Sequence, residues 1–262
     1  MSERTRRGPS LRQDAIAETV LAQGSATAAE FAERFGVSLM TIHRDLDELE
    51  RQGIVRKFRG GVTAQRSGVF ESSVGYRGRA QRDEKEAIAD RAMDLVEPGM
   101  AIMLDDSTTA LAVARRLKDA GPLTVVTNFL DGLNLLAPVQ GVRLIALGGD
   151  YDPLHNSFMG VSCVEAIEAL QVDLCFVSTS AISNGNACHQ EQHVVVVKRA
   201  MLRSAARNVL LVDHTKLGRT ALHRVAPLGD FERVVVDDGA SAEALDELDR
   251  HNVRYEVAAR RR

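Results

Sequence analysis

From residue 101 onward, short apolar segments rich in Val alternate with segments of helical period, and few folds accommodate that alternation. Ala101 to Leu104, Leu123 to Val126, Val142 to Leu147, Leu174 to Val177, Val209 to Val212 and Val234 to Val236 read as strands, with a last one near Tyr255. Thr109 to Leu117, Leu130 to Leu136, Val164 to Leu170, Val194 to Ala205 and Ala242 to Leu248 read as helices. Strands without polar alternation are buried on both faces. The pattern therefore predicts a Rossmann-like α/β domain with a mostly parallel sheet between two helical layers. Lys85 to Val96, with Ile88, Ala89, Ala92 and Leu95 on one side and Pro98-Gly99 behind it, predicts the amphipathic helix that opens this domain.

Ligands in such sheets bind beyond the carboxyl ends of the strands. Five of those junctions are polar: Asp105-Asp106-Ser107-Thr108-Thr109, Thr127-Asn128, Gly148-Gly149-Asp150, Ser178-Thr179-Ser180 and Asp213-His214-Thr215-Lys216. Small hydroxyl, Gly, Asp and Lys residues at all five suit a polyhydroxylated, anionic small molecule. Ser107, Thr108 and Thr109 open a helix, where free N–H groups and the helix dipole favour an anion; Thr108 serves equally well as a plain N-cap. Asp105 and Asp106 are expected to accept hydrogen bonds from sugar hydroxyls. Lys198 and Lys216 are expected to complete the charge balance.

The first 66 residues have a different pattern. Thr27 with Glu30 forms a capping box ahead of Phe31 and Phe35, and Gly36 ends that helix. Ser10 with Gln13 marks an earlier helix with Ile16, Val20 and Leu21 inside. Ser38 then caps a third, in which Leu39, Ile42, Leu46 and Leu49 form an apolar stripe that stops at Gly53. Helix, helix, tight turn, helix is the helix-turn-helix layout. On the third helix Met40, Thr41 and Arg44 point away from the stripe, and with Ser38 and His43 they are the candidate base-reading residues. Ile54 to Thr63 reads as two strands around a Gly60-Gly61 turn, a wing whose Arg56, Lys57 and Arg59 suit phosphates. The stretch 67–82, poor in apolar residues, reads as a linker to an α/β domain at 83–262.

Charge agrees with this division. Residues 1–66 hold 11 Lys and Arg against 9 Asp and Glu, while the remainder holds 22 against 27. The basic head suits double-stranded DNA, although so small an excess is weak evidence by itself. Three cysteines are too few and too odd in number for a disulfide framework, which points to a reducing compartment, the cytoplasm. No apolar run has the length of a membrane span.

The chain resembles the DeoR family of bacterial sugar-metabolism regulators over nearly its whole length. The resemblance rests on Val37-Ser38, Thr41-Ile42, Arg44-Asp45-Leu46, Leu49-Glu50 and Gly53, and on Arg59-Gly60-Gly61 in the wing. It continues through Lys85 with Ile88-Ala89, the Asp-rich loop, Val126-Thr127-Asn128, Leu147-Gly148-Gly149, Val197-Lys198-Arg199-Ala200-Met201 and Val212-Asp213-His214-Thr215-Lys216. It implies a sensor domain related in fold to ribose-phosphate isomerase, which binds a phosphorylated sugar or similar metabolite and alters operator affinity. It also implies a homo-oligomer, dimer or tetramer, and no cofactor. Two departures stand out. Ser107 occupies a position that is usually Gly in the family's loop, and Val194 one where an acid is expected.

Two other readings have specific residues behind them. Cys188, His189 and His193 invite a metal, since His at i and i+4 share a helix face, but His-Gln-Glu-Gln-His is not the metalloprotease pattern, and no metal is expected. The body could instead be a sugar-phosphate isomerase or deaminase with Asp105, Glu191 and Lys198 moving protons beside a carbonyl. A fused DNA-binding head makes sensing sufficient, so a regulator without catalytic residues is the expectation. An unphosphorylated polyol or sugar acid is the alternative effector.

Overall fold

The computed structural model describes residues 12–17, 19–20, 23–51, 53–64 and 74–260. The chain divides into two compact units, 1–80 and 81–262.

In the first unit, residues 12–17 and 19–20 are helical, with Ile16, Ala17 and Val20 fully buried. Ser10 and Leu21 lie outside the described residues. A short strand absent from the sequence expectation follows, β1 (Ser25–Thr27). Helix α1 (Ala28–Phe35) opens on the expected box: Thr27 Oγ1 accepts from the Glu30 amide at 3.2 Å, and the Glu30 carboxylate accepts from the Thr27 amide at 2.7 Å. Gly36, at φ +62°, ends it in the left-handed conformation that a residue without Cβ adopts cheaply.

Ser38 caps α2 (Leu39–Arg51) by accepting from the Thr41 amide. Ile42, Leu46 and Leu49 are buried as expected, but Leu39 is 51% exposed. The buried arc of the helix also includes Asp45, which shifts its centre about 70° away from Leu39. Asp45 is buried because it has partners: Arg12 Nε donates to it at 2.6 Å and Gln13 Nε2 at 3.0 Å.

Strands β2 (Val55–Phe58) and β3 (Gly61–Ala64) form the wing, and β1 pairs with β3 to make a three-stranded sheet. The two-residue turn is Arg59-Gly60, since Phe58 already pairs with Gly61. The expected Gly-Gly turn is corrected accordingly. Gly60 supplies the positive φ of the turn, while Gly61 is required by packing: a Cβ there would lie 2.5 Å from the Ala26 carbonyl oxygen.

The expected linker 67–82 also needs correction. Residues 74–79 form α3 (Val74–Arg79), whose Tyr76 is buried in the core of the first unit, with Ala80 packed beside it. Helix α4 (Arg82–Ala92) begins almost at once.

The second unit is built on β4 (Ala101–Leu104), β5 (Leu123–Thr127), β6 (Val142–Ala146), β9 (Val172–Val177), β12 (Ala205–Val212), β14 (Arg233–Asp237) and β15 (Tyr255–Ala258). They form a seven-stranded sheet in the order β15-β14-β12-β9-β4-β5-β6, every neighbouring pair parallel. Alternate residues face opposite layers. Ile102, Leu104, Leu174, Phe176, Val209 and Leu211 pack with α4, α5 (Thr108–Leu117) and α6 (Leu130–Leu136). Met103, Cys175, Val177, Leu210 and Val212 pack with α7 (Val161–Glu168), α8 (Gln192–Arg203) and α9 (Ala242–Arg250).

Two features lie outside the alternating pattern. Hairpin β7 (Asp150–Asp152) and β8 (Ser157–Met159), and a small sheet of β10 (Ala181–Ser183), β11 (Asn186–His189) and β13 (His223–Pro227), are built from short stretches that read as loop. Both touch the carboxyl edge of the large sheet, the hairpin through contacts set out below and the small sheet through the Thr179 hydroxyl, which donates to the Cys188 carbonyl at 2.5 Å.

Candidate functional site

The first unit exposes polar and basic side chains on α2 and the wing. Met40 is 64% exposed, and His43, Arg44, Arg56 and Arg59 are exposed as well. Thr41 is only half-exposed, and its hydroxyl lies 2.9 Å from that of Ser38. Lys57 is not free for a phosphate in this conformation. Its ammonium pairs with Asp47, and its amide donates to Glu50 at 2.8 Å, so the acids late in α2 hold the wing against the helix. An ion pair this accessible is worth little and exchanges readily.

In the second unit the chain runs from β4 outward to β6, then returns to place β9 on the other side of β4. This is the point of strand-order reversal where a parallel sheet opens a crevice at its carboxyl edge. Asp105 follows β4 there and bridges to β9: its Oδ1 accepts from the Ser107 amide at 3.0 Å, and its Oδ2 from the Ser178 amide at 2.7 Å and from Lys198 Nζ. With no exposed side-chain surface, Asp105 does not read ligand hydroxyls; it ties two strands and α8 together.

Asp106 accepts from Lys198 at 3.2 Å and from the Ser157 hydroxyl at 3.2 Å, and has His155 Nδ1 at 3.5 Å. Burial alone would lower the Lys198 ammonium, but the charges of Asp105 and Asp106 and their hydrogen bonds hold it above the ordinary lysine value. Lys198 thus neutralises the protein's own acids rather than a ligand, contrary to expectation.

Ser107, not Thr108, is the N-cap of α5, its Oγ accepting from the Ala110 amide at 3.0 Å. A serine at this position is explained by that bond. Thr108 and Thr109 stand on the first turn, both buried. Thr127 uses its hydroxyl on the Phe129 amide. Asn128 donates to the Phe158 carbonyl at 2.9 Å, which leaves its Oδ1 buried with no hydrogen-bond partner. An unsatisfied buried acceptor costs about 1–3 kcal/mol, so a donor arriving at this atom gains by that amount.

Gly148 and Gly149 are exposed. Gly149 makes room for the hairpin, since a Cβ would meet the Met159 carbonyl oxygen at 2.2 Å. Gly148 faces open space.

Asp213 ends β12 and is buried. Burial alone would raise its carboxyl, but Lys216, the Thr215 hydrogen bonds and Lys85 hold it below the usual carboxylate range. Lys216 is half-exposed. Lys85, buried on α4, was not among the sequence candidates; its place in the helix pattern gave no sign that it reaches a strand end.

The two His residues weighed as a helical pair do not share a helix. His189 lies on β11 and His193 on α8, and Cys188 Sγ faces the Asn186 carbonyl. All three cysteines are buried and unpaired. His193 instead meets Asp152 and His155, whose donor atoms all lie within 4.8 Å of one another. His155 was missed because nothing local marks it.

Comparison with known proteins agrees with both halves. Residues 12–67 match the DeoR-like helix-turn-helix domain, and residues 80–238 the DeoR C terminal sensor domain. The chain is 34% identical to an uncharacterized HTH-type transcriptional regulator, YgbI, of Escherichia coli (strain K12), over 95% of this chain and 98% of that one. It is 30% identical to the glycerol-3-phosphate regulon repressor of the same strain, over 94% and 98%. Among solved structures, ribose 5-phosphate isomerase A from Methanocaldococcus jannaschii shows a loose likeness, with TM-score 0.39 at 18% identity over 52% of this chain and 55% of that one. The match of both domain families in order, with relatives aligned end to end, shows that the chain belongs to the DeoR family of DNA-binding transcriptional regulators.

Proposed function

We propose that this protein represses a carbohydrate-metabolism operon, and that a phosphorylated sugar or related metabolite at the carboxyl edge of the sensor sheet changes its affinity for the operator. The observation that carries the reading is a contrast. The head exposes Met40, His43, Arg44, Arg56 and Arg59, whereas Asp105, Asp106 and Lys198 of the sensor domain are buried and paired with one another. A proton-transfer site needs a carboxylate open to substrate, and Asp105 accepts three hydrogen bonds from the protein itself. That favours sensing over turnover. Relatives named for glycerol-3-phosphate and for the aga operon agree with the effector class. With this reading go a cytoplasmic location and a homo-oligomer, because a single head buries little DNA surface for operator affinity. The operator would then carry repeated half-sites.

Effector contacts are assigned to Thr108, Thr109 and the unpaired Asn128 Oδ1, with Asp106, Ser178 and Lys216 as further contacts at the strand ends. An unphosphorylated polyol or sugar acid remains the second reading, favoured by one fact: Lys198, the buried cation of the cluster, already serves two carboxylates.

The test titrates matched sugars, with and without phosphate, against operator complexes of wild type, Thr108→Ala and Lys216→Ala. Loss of phosphate preference in both variants is expected. Unchanged response in both would place the pocket elsewhere, and turnover of any sugar phosphate would revive the enzyme reading. On the DNA side, Arg44→Ala should cost about 1–3 kcal/mol on the operator and far less on random DNA. Arg59→Ala should weaken both and reduce the salt slope by about 1.

A further inference from the structure

Asp152 and His155 come from one hairpin, at the end of β7 and in its turn, and His193 from the first turn of α8. Their donor atoms lie within 4.8 Å of one another, against about 3.3 Å for ligands around a tetrahedral zinc ion. Movements of about an ångström, mostly of the half-exposed His193 side chain, would close that gap.

The surroundings of these three are arranged as the outer shell of a metal site is. Asp152 Oδ1 is fixed by the Leu154 and His155 amides at 2.8 and 3.3 Å, which leaves Oδ2 directed at His193 Nε2 at 2.9 Å. His155 is 1% exposed and lies between carboxylates on both ring nitrogens, Nδ1 at 3.5 Å from Asp106 and Nε2 on Glu191. A metal on Nε2 would leave Nδ1–H to donate to Asp106, the carboxylate–histidine–metal arrangement that sets the tautomer. Around this point stand Asp105, Asp106, Asp152 and Glu191, with Lys198 paired to Asp105 and Asp106. The cluster is short of positive charge, and a divalent cation supplies it.

We infer that Asp152, His155 and His193 bind a divalent first-row transition metal of the zinc class, with Glu191 or a ligand oxygen completing its coordination. Two imidazoles and one carboxylate with an open position are a donor set for such metals and a poor one for calcium or magnesium, which take oxygen ligands. Bound there, the ion would pin the β7–β8 turn over Asp106, the acid that Lys198 and Ser157 also hold. The inference does not depend on which effector the sensor takes.

The test uses the full-length protein, stripped of metal with a chelator and titrated calorimetrically with Zn²⁺, with Co²⁺ as an optical probe. One equivalent per chain is expected, with the intense visible bands of four-coordinate cobalt. His193→Ala and Asp152→Asn should each weaken binding at least tenfold; His193 is half-exposed, so its variant keeps the fold. Asp106→Asn should weaken it by about 10- to 100-fold through His155. No saturable binding of either ion would overturn the inference. So would binding of undiminished affinity in both the His193 and Asp152 variants, since the chain has five histidines besides the two proposed as ligands.

Discussion

Asp45 shows how much one residue can decide. It sits on the inward side of the reading helix, where an apolar residue would be expected, and is buried because Arg12 and Gln13 converge on it from the first helix. Removing one partner of a buried pair leaves the other uncompensated, which is strongly destabilising. Asp45→Ala should therefore lower the stability of the first unit by about 3 kcal/mol in urea denaturation. A loss below about 1 kcal/mol would mean the pair is dispensable. Asp105 plays the corresponding part in the sensor domain, joining β4, β9 and α8 at one carboxylate.

At the scale of elements, the wing is set by two adjacent glycines with different tasks. Gly60 provides the turn, and Gly61 lets β3 pass against β1. Gly61→Ala places a methyl group 2.5 Å from the Ala26 carbonyl oxygen and 2.9 Å from the Phe58 ring, so the strands must part. The expected result is a loss of about 1–3 kcal/mol in stability and weaker binding to all DNA sequences, because the wing carries Arg56 and Arg59. Wild-type affinity and stability in that variant would contradict the packing described. The hairpin of β7 and β8 is placed similarly, through Gly149, and delivers Ser157 and His155 to Asp106.

For the whole molecule, the two units have separate cores, and acid should act on them differently. Asp213 has its carboxyl held below the usual value in the folded sensor domain. A depressed folded value contributes stability above the unfolded value, near 3.8, that is lost as pH falls through the folded one. Asp213→Asn should therefore be less stable than wild type at pH 7. The gap should close as pH falls below about 3.8. A gap that stayed constant across that range would remove Asp213 from the account of acid stability.

The sequence by itself determined the elements and the class of fold. Helix period, capping residues and Val-rich runs are local, so each strand of the large sheet and most helices stood where their patterns put them, α3 in the expected linker excepted. Thr27 with Glu30 and Ser38 with Thr41 are contacts three residues apart, and such contacts are readable. The family resemblance likewise rests on short motifs. The tertiary structure alone decided what the polar residues do. Asp105 meets the Ser178 amide 73 positions away and Lys198 93 away, and no local pattern shows that these partners saturate it. His155 acquires Glu191, Asp106 and His193 only when the hairpin folds over the sheet edge. Leu39 falls outside the stripe because a buried ion pair turns α2 on its axis. A polar side chain has no preferred partner until the chain brings one within about 3 Å, whereas an apolar periodicity already states which face will leave water.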